Sequence, residues 1–278
     1  EIKEEVGKER IVKMRDGTGV PLFIVHDPSG EIVSYMPLVS ALSIDMPVYG
    51  INVLSMDEDS PEFASIEGMA KAYSDLVRSV CPNGPYRLVG WCAAGAIAME
   101  MASRLIDDAL PVEFVGILDT GYKEQPDKKE DEERMKCEML MSLVRRFYPN
   151  ADAGKLDELG SIDVFEDLMS RCFEYYMVPD GFDSSELRRR IDISWRITNA
   201  WRNYSMKHIP GNVYNFAAAE YENNGGRLLD SWKRCGLDVP TMELIDGTHH
   251  SIMIPPHVVK MADRMSTILK ALPESCAV

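Results

Sequence analysis

The sequence lacks the features that mark membrane-spanning, secreted and nucleic-acid-binding proteins. No apolar run approaches the ~20 residues that a membrane-spanning helix needs. No basic segment followed by an apolar one opens the chain, so a secretory signal peptide is not indicated. Basic residues are scarce: 30 Lys and Arg stand against 45 Asp and Glu, giving a formal net charge of −15. Because phosphate contacts require cations, we expect neither nucleic acid nor a membrane as a partner.

Cysteine is scarce as well. The 278 residues include six cysteines, none in a C-x-x-C pair, and these are too few for a disulfide scaffold. We therefore expect a reducing, cytoplasmic setting. The chain begins with Glu1 and not with methionine, which indicates a piece excised from a longer protein. Hydrophobic residues make up 45% and charged residues 27%, a composition typical of globular proteins.

Short apolar segments alternate with helical ones along most of the chain. Strands are predicted at 11–14, 20–25, 48–53, 86–91, 114–119, 213–219 and 241–246. Helices are predicted at 32–42, 65–81, 94–106, 227–235 and 257–272. The first two strands are joined by a tight loop at Asp16-Gly17. Strands that alternate with helices favour an α/β fold with a mostly parallel sheet.

Residues 122–212 interrupt this alternation. They are helical in pattern, rich in aromatic residues, and carry a charge run from Lys128 to Glu133. We interpret them as a helical lid inserted over a site at the carboxyl ends of the strands; the alternative is a helical subdomain that only packs. The predicted organisation is then a lead-in with the first strand at 1–18, and a core formed by 19–121 and 213–278.

The segment LVGWCAAG at 88–95 leads from a predicted strand through small residues into a predicted helix. This is the strand–turn–helix context of a G-x-S-x-G nucleophile, with Cys92 in place of serine and Ala94 in place of the last glycine. A nucleophile in such a strained turn needs small neighbours, because strand and helix nearly touch there. The helix N-terminus also favours a thiolate. Cys92 is therefore the candidate nucleophile, and the alternative is a buried structural thiol.

The base and the acid that would assist Cys92 are predicted at the ends of later strands. The chain has five histidines, and His249 follows the last predicted strand in a G-x-H setting, which favours it over the adjacent His250. Asp119 ends the strand FVGILD, where its carboxylate faces the same crevice; a turn or N-cap role is the alternative. Asp246 is a weaker candidate acid. The order nucleophile, acid, base is that of α/β-hydrolases.

An oxyanion hole needs two backbone N–H donors. The first candidate is Ala93, directly after the proposed nucleophile. The second should come from the loop His26-Asp27-Pro28-Ser29-Gly30, after the second predicted strand. Proline has no N–H, so Ser29 is preferred there, although a plain turn is an equally good interpretation of that loop. No set of residues indicates a metal site.

Four segments together resemble the thioesterase domains that end nonribosomal peptide and polyketide assembly lines. They are PLFIVHDPSGEIVSYMPLVSAL, PVYGINV, GPYRLVGWCAAG and IDGTHHSIM, and the similarity spans about residues 19–272. The resemblance implies an α/β-hydrolase fold, with a mostly parallel sheet flanked by helices and a helical lid between the strand bearing Asp119 and the strand at 213–219. It also implies a peptidyl chain delivered on the phosphopantetheine arm of a carrier protein domain fused upstream, with no bound cofactor.

Cys92 departs from the serine that most of this family has. A minority of these domains has a native cysteine, and those that this chain most resembles in this respect close strained four-membered rings, either a β-lactam or a β-lactone. The resemblance thus implies release by intramolecular cyclisation, with the β-lactam favoured. A thioester on Cys92 keeps the acyl group activated, which helps a weak nucleophile such as an amide nitrogen. The alternatives are a hydrolytic or editing thioesterase of the same fold, a small-molecule esterase, and a non-catalytic binding module.

Overall fold

The computed structural model describes residues 10–53, 61–123, 131–148, 150–179, 181–220, 227–234 and 241–273. The strands within these ranges are β1 (Ile11–Arg15), β2 (Leu22–Val25), β3 (Val48–Ile51), β4 (Tyr86–Trp91), β5 (Val112–Leu118), β6 (Val213–Ala218) and β7 (Thr241–Ile245). The helices are α1 (Met36–Ala41), α2 (Ile66–Val80), α3 (Ala93–Asp107), α4 (Glu132–Phe147), α5 (Ala153–Gly160), α6 (Phe165–Glu174), α7 (Ser184–Arg202), α8 (Arg227–Arg234) and α9 (His257–Lys270). Short 3-10 turns occupy Val33–Tyr35, Pro61–Ala64 and Ser251–Met253.

One seven-stranded sheet has the order β1-β3-β2-β4-β5-β6-β7, and all its neighbours are parallel except β1 and β3. The predicted α/β fold with a mostly parallel sheet is therefore confirmed. The first two strands are adjacent in sequence but do not pair with each other. Strand β2 is fully buried and bonded on both sides, to β3 and β4, so β1 pairs antiparallel with the outer edge of β3.

Helices cover both faces of the sheet because successive strand residues point to opposite faces. In β2, Phe23 and Val25 belong to the cluster that contains α2 and α3, whereas Leu22 and Ile24 belong to the cluster that contains α1 and α9. The sheet is thus buried on both faces, which is why its central strands read as continuous apolar runs. No helix in the described ranges is long and apolar enough to cross a membrane.

Helices α4 to α7 all lie between β5 and β6, within the segment predicted as an insertion. They share a core of their own, formed by residues such as Leu140, Leu168 and Leu187. Helix α7 also joins them to the main domain, since Ile197 and Ala200 belong to the cluster that contains α2 and α3. The boundaries at 122 and 212 and the covering role stay predictions. Residues 128–130 of the charge run lie outside the described residues.

Candidate active site

Cys92 occupies a strained turn between β4 and α3. Its φ of 57° and ψ of −128° are unusual for a residue with a side chain, and such strain persists only where the surroundings fix the backbone. They do so here through two contacts. The N–H of Cys92 donates to the carbonyl oxygen of Leu118 at 3.0 Å, and its own carbonyl accepts from Thr120 Oγ1 at 2.8 Å. Both partners belong to β5 or the residues just after it.

Two glycines make this turn possible. A Cβ atom on Gly90 would lie 2.1 Å from the carbonyl oxygen of Ala94, and one on Gly95 would lie 2.2 Å from Thr120 Oγ1. Both distances are far inside van der Waals contact, so both positions require glycine. The second position that requires glycine is therefore 95, one residue later than in the G-x-S-x-G pattern. This explains why alanine is accepted at position 94, where it is fully buried.

Asp119 lies directly after β5 with a buried side chain and a positive φ of 52°. Its two carboxylate oxygens have different partners. Oδ1 accepts from the backbone N–H of Ala218 at 2.7 Å, and Oδ2 lies 2.5 Å from His249 Nδ1. The first contact fixes the carboxylate to the end of β6, and the second turns it towards the imidazole. Asp119 is therefore fixed on both sides.

His249 lies in the loop after β7 and brings three elements together. Its ring Nδ1 contacts Asp119 Oδ2, and its backbone N–H donates to Glu220 Oε1 at 2.6 Å. The indole of Trp91 packs against the imidazole, with ring centroids 5.3 Å apart. The structure thus brings together the three side chains that the sequence predicted, from the ends of β4, β5 and β7.

The contacts of His249 change its protonation. Burial lowers its pKa, but hydrogen bonds with Asp119 and Cys92, together with their charges, outweigh burial and raise the pKa to about 10. The imidazole is then protonated at neutral pH.

Replacing His249 with glutamine is expected to destabilise the protein most at acidic to neutral pH. The pKa of His249 is about 10 when folded and 6.5 without its partners, so its contribution is complete below about 6.5 and is lost as the pH rises through 10. Urea unfolding of both proteins at about pH 6, 8 and 10 measures the difference, which should shrink by up to about 1.4 kcal/mol per pH unit. A difference that does not vary with pH would contradict the assigned protonation.

The other candidates have separate environments. Asp246, the alternative acid, is exposed and forms an ion pair with Lys260 on α9. His250 is exposed, and its ring meets the indole of Trp91 edge-on at 6.4 Å. The geometry thus favours Asp119 over Asp246 and His249 over His250.

The two predicted oxyanion donors differ in availability. Ala93 is the first residue of α3, a position whose N–H has no partner within its helix. The N–H of Ser29 donates to Asp27 Oδ1 at 2.8 Å, inside the loop after β2. A contribution from Ser29 would require this bond to open first. Both assignments stay predictions.

A cavity of about 390 Å³ opens at the three side chains. Its wall contains Cys92, Asp119 and His249, together with Thr120, Gly121, Tyr122, Lys123, Trp201, Leu228 and Ser231. Lys123 Nζ donates to the carbonyl oxygens of Trp201 and Arg202, at the end of α7, and lies 4.6 Å from the centre of the Trp201 ring. The sequence predicted none of the seven additional residues as site residues. Two signals were present: Trp201 belongs to the aromatic set of the predicted lid, and the segment after Asp119 lies at a strand's carboxyl end.

The remaining chemistry of the described residues is limited. No group of three or more His, Cys, Asp or Glu side chains among them could hold a metal ion. Cys81, Cys92, Cys137 and Cys172 form no disulfide, and Cys92 is the one of these four that is not buried.

Comparison with known proteins gives the family. The chain matches the thioesterase domain family over residues 20–269. It is 36% identical over 96 residues to aspulvinone E synthetase melA of Aspergillus terreus, which covers 34% of this chain and 10% of that protein. It is 23% identical over 277 residues to the nonribosomal peptide synthetase btyA of Aspergillus terreus, covering 92% of this chain and 28% of btyA. The chain thus spans less than a third of these curated relatives.

Solved structures share the fold. A holo four-domain nonribosomal peptide synthetase bound to AMP and glycine has a TM-score of 0.75 at 24% identity, covering 95% of this chain and 20% of that one. The thioesterase domain that cyclises the lipopeptide antibiotic surfactin has a TM-score of 0.66 at 14% identity, covering 96% and 98%. These structures share the α/β-hydrolase fold of this chain, and the family match over residues 20–269 shows that the chain belongs to the thioesterase domain family.

Proposed function

We propose that this domain is a terminal thioesterase that takes a peptidyl chain from a carrier-protein phosphopantetheine thioester onto Cys92 and releases it by intramolecular cyclisation. One observation carries the proposal. A half-buried thiol in a strained turn shares a cavity wall with an imidazole whose pKa is raised to about 10. A thiolate beside an imidazolium is the resting form expected of a cysteine acyl-transfer enzyme.

The first step transfers the acyl group. The Cys92 thiolate attacks the thioester carbonyl, and the N–H of Ala93 stabilises the oxyanion that forms. Collapse of this intermediate breaks the bond to the pantetheine sulfur, which leaves with the proton of His249. The products are an acyl-Cys92 thioester, a free pantetheine thiol and a neutral imidazole.

The second step closes the ring. The neutral imidazole removes a proton from a nitrogen or oxygen nucleophile within the acyl chain, which attacks the acyl-Cys92 carbonyl. The bond to Cys92 Sγ breaks and the thiolate leaves. The imidazolium–thiolate pair is thereby restored. Asp119 stabilises the positive charge that His249 carries before the first step and after the second.

A cysteine nucleophile favours the formation of rings that are difficult to close. The first step exchanges one thioester for another, so the acyl group keeps its activation until the internal nucleophile attacks. This favours a strained four-membered ring, and a β-lactam over a β-lactone because nitrogen held as an amide is the weaker nucleophile. The cavity of about 390 Å³ is near the lower end of small-molecule sites, which supports a compact acyl group.

The proposed donor of the acyl chain is a carrier protein in the same polypeptide. The relatives support this, since the chain covers only 28% of btyA and 20% of the four-domain synthetase. A covalent link supplies a high effective concentration, so a protein with a net charge of −15 does not need tight docking to its carrier.

Hydrolysis is the competing outcome, as a release step or as editing of stalled carriers. The specific observation in its favour is that the His249 side chain is 21% exposed, so water can reach the base. Water would then replace the internal nucleophile in the second step.

Two matched thioesters are expected to separate these outcomes. Both are peptidyl thioesters of a pantetheine mimic, one ending in 2,3-diaminopropionate with its β-nitrogen held as an amide and the other in serine, so attack by the β-nitrogen or β-oxygen closes a four-membered ring. Mass spectrometry should detect acylated protein and then a product lighter than the free acid by one water, with more ring from the nitrogen substrate. Free acid alone from both would support the hydrolytic function, and no acylated protein from either would overturn thioesterase activity on peptidyl chains.

A further inference from the structure

We propose that Glu220 is a positioning residue for His249, an assignment that rests on the proposed function of that histidine. Glu220 lies two residues after the end of β6 and is partly buried. Its Oε1 accepts a hydrogen bond from the backbone N–H of His249 at 2.6 Å. This is a charge-assisted bond to the main chain of the residue that carries the base, and such bonds are about twice as strong as neutral ones.

Glu220 belongs to a ladder that continues past the strand ends. The N–H of Ala219 donates to the carbonyl oxygen of Ile245 at 2.8 Å, and the N–H of Glu220 donates to that of Gly247 at 3.2 Å. The chain after β6 therefore runs beside the chain after β7 as far as His249. In the described part of the chain, the carboxylate of Glu220 makes the last contact of this ladder.

The loop that carries His249 depends on such contacts for its position. Gly247 has a φ of 113°, a conformation that is open to glycine and strained for other residues. Backbone sterics at a glycine restrain the chain weakly, so hydrogen bonds have to fix the path from β7 to His249. Glu220 contacts this path at Gly247, within the loop, and at His249, where the path ends.

Two carboxylates thus act on different parts of His249. Asp119 contacts ring Nδ1 and fixes the orientation and charge of the imidazole, whereas Glu220 contacts the main chain and fixes where the side chain starts. They lie after β5 and β6, which are neighbours in the sheet, and the bond from Ala218 N–H to Asp119 Oδ1 joins these two strand ends. The ring and the main chain of His249 are then both held by residues at the carboxyl ends of β5 and β6.

Replacing Glu220 tests this assignment through rate and pH profile together. E220A should lower the rate of acylation by a pantetheine thioester about 10- to 100-fold, because a small misplacement of a catalytic group is enough for such a loss. The pH midpoint for alkylation of Cys92 by iodoacetamide should stay within about 0.3 units of wild type, because Asp119 still contacts the ring. D119N should instead shift that midpoint.

Conservative variants separate the hydrogen bond from the charge. E220Q keeps an acceptor oxygen and should recover most of the rate, and E220D, with a shorter reach, should give an intermediate loss. E243A removes a carboxylate on β7 that pairs with Arg264, and it serves as the matched control with no expected change. If E220A does not fold, hydrogen exchange of the His249 amide in E220D provides the readout, and faster exchange than in wild type is expected.

Three results would overturn the assignment. They are an E220A rate within about twofold of wild type, a pH midpoint that moves as far as in D119N, or an E220Q loss equal to that of E220A. Failure of the proposed function has a different signature. In that case no variant, including wild type, is acylated, while the His249 amide still exchanges faster in E220D than in wild type.

Discussion

Replacing Cys92 with alanine is expected to abolish acylation of the protein. Alanine removes one atom from a half-buried site and leaves the turn, His249 and Asp119 in place, so the fold should persist. No other described residue at the cavity has a thiol, and we expect acyl transfer to fall by at least about 10³-fold. Intact-protein mass spectrometry after incubation with the 2,3-diaminopropionyl thioester measures this loss. An acyl adduct on C92A would show that a different residue is the nucleophile.

Serine at the same position separates loading from release. C92S should still acquire the acyl mass, more slowly, because a serine hydroxyl needs a base to become nucleophilic. Ring closure should fall by about 10-fold or more, because the oxoester formed is less activated than a thioester. Equal yields of cyclic product from C92S and wild type would remove the argument for a thiol.

The chain offers a matched control for both variants. Cys137, on α4, is buried in the core of the inserted helices, and burial raises the pKa of its thiol to about 11. It is therefore protonated and unreactive at neutral pH. C137A should be acylated and should release product as wild type does.

Replacing Gly90 with alanine is expected to cost about 3–5 kcal/mol of unfolding free energy, which is at the upper end for a single substitution. The added Cβ would lie 2.1 Å from the carbonyl oxygen of Ala94, a backbone atom in the first turn of α3. To relieve this clash, α3 has to move away from β4. The same movement would displace Cys92 from His249, so acylation should fall in parallel.

Gly160 provides the control for this substitution. It ends α5, and a Cβ there would have no heavy atom nearer than 4.0 Å. G160A should stay within about 0.5 kcal/mol of wild type. Urea unfolding of all three proteins gives the comparison. A G90A protein as stable as G160A would mean that the turn is less tightly packed than these distances indicate.

The parts of the site that follow strands could be predicted from the sequence. Cys92, Asp119 and His249 each come directly or shortly after an apolar run, and the carboxyl ends of parallel strands meet at one edge of the sheet. The order of the runs was therefore enough to expect the three side chains together. Their catalytic roles stay predictions.

The sequence has no comparable signal for hydrogen bonds between a side chain and a backbone group that lie far apart along the chain. The side chains of Glu220 and Thr120 bond to backbone groups of His249 and Cys92. Because every residue type except proline has both of these backbone groups, the sequence does not indicate the partners. Trp201 reaches the cavity through the packing of α7, which depends on the whole inserted segment. The sequence around β1 also could not predict its partner strand. That partner is β3, because both edges of β2 are already paired.

Asp119 stands where the chain departs from the sheet for a long excursion, and Ala218 ends the strand on which it returns. The hydrogen bond between them makes departure and return a single fixed junction. The inserted helices α4 to α6, whose core is separate from that of the sheet, therefore belong to a long loop that is closed at this junction. Doubling the length of such a loop costs only about 0.6 kcal/mol of closure entropy. The length and sequence of these helices can therefore vary while Cys92, Asp119 and His249 keep their spacing.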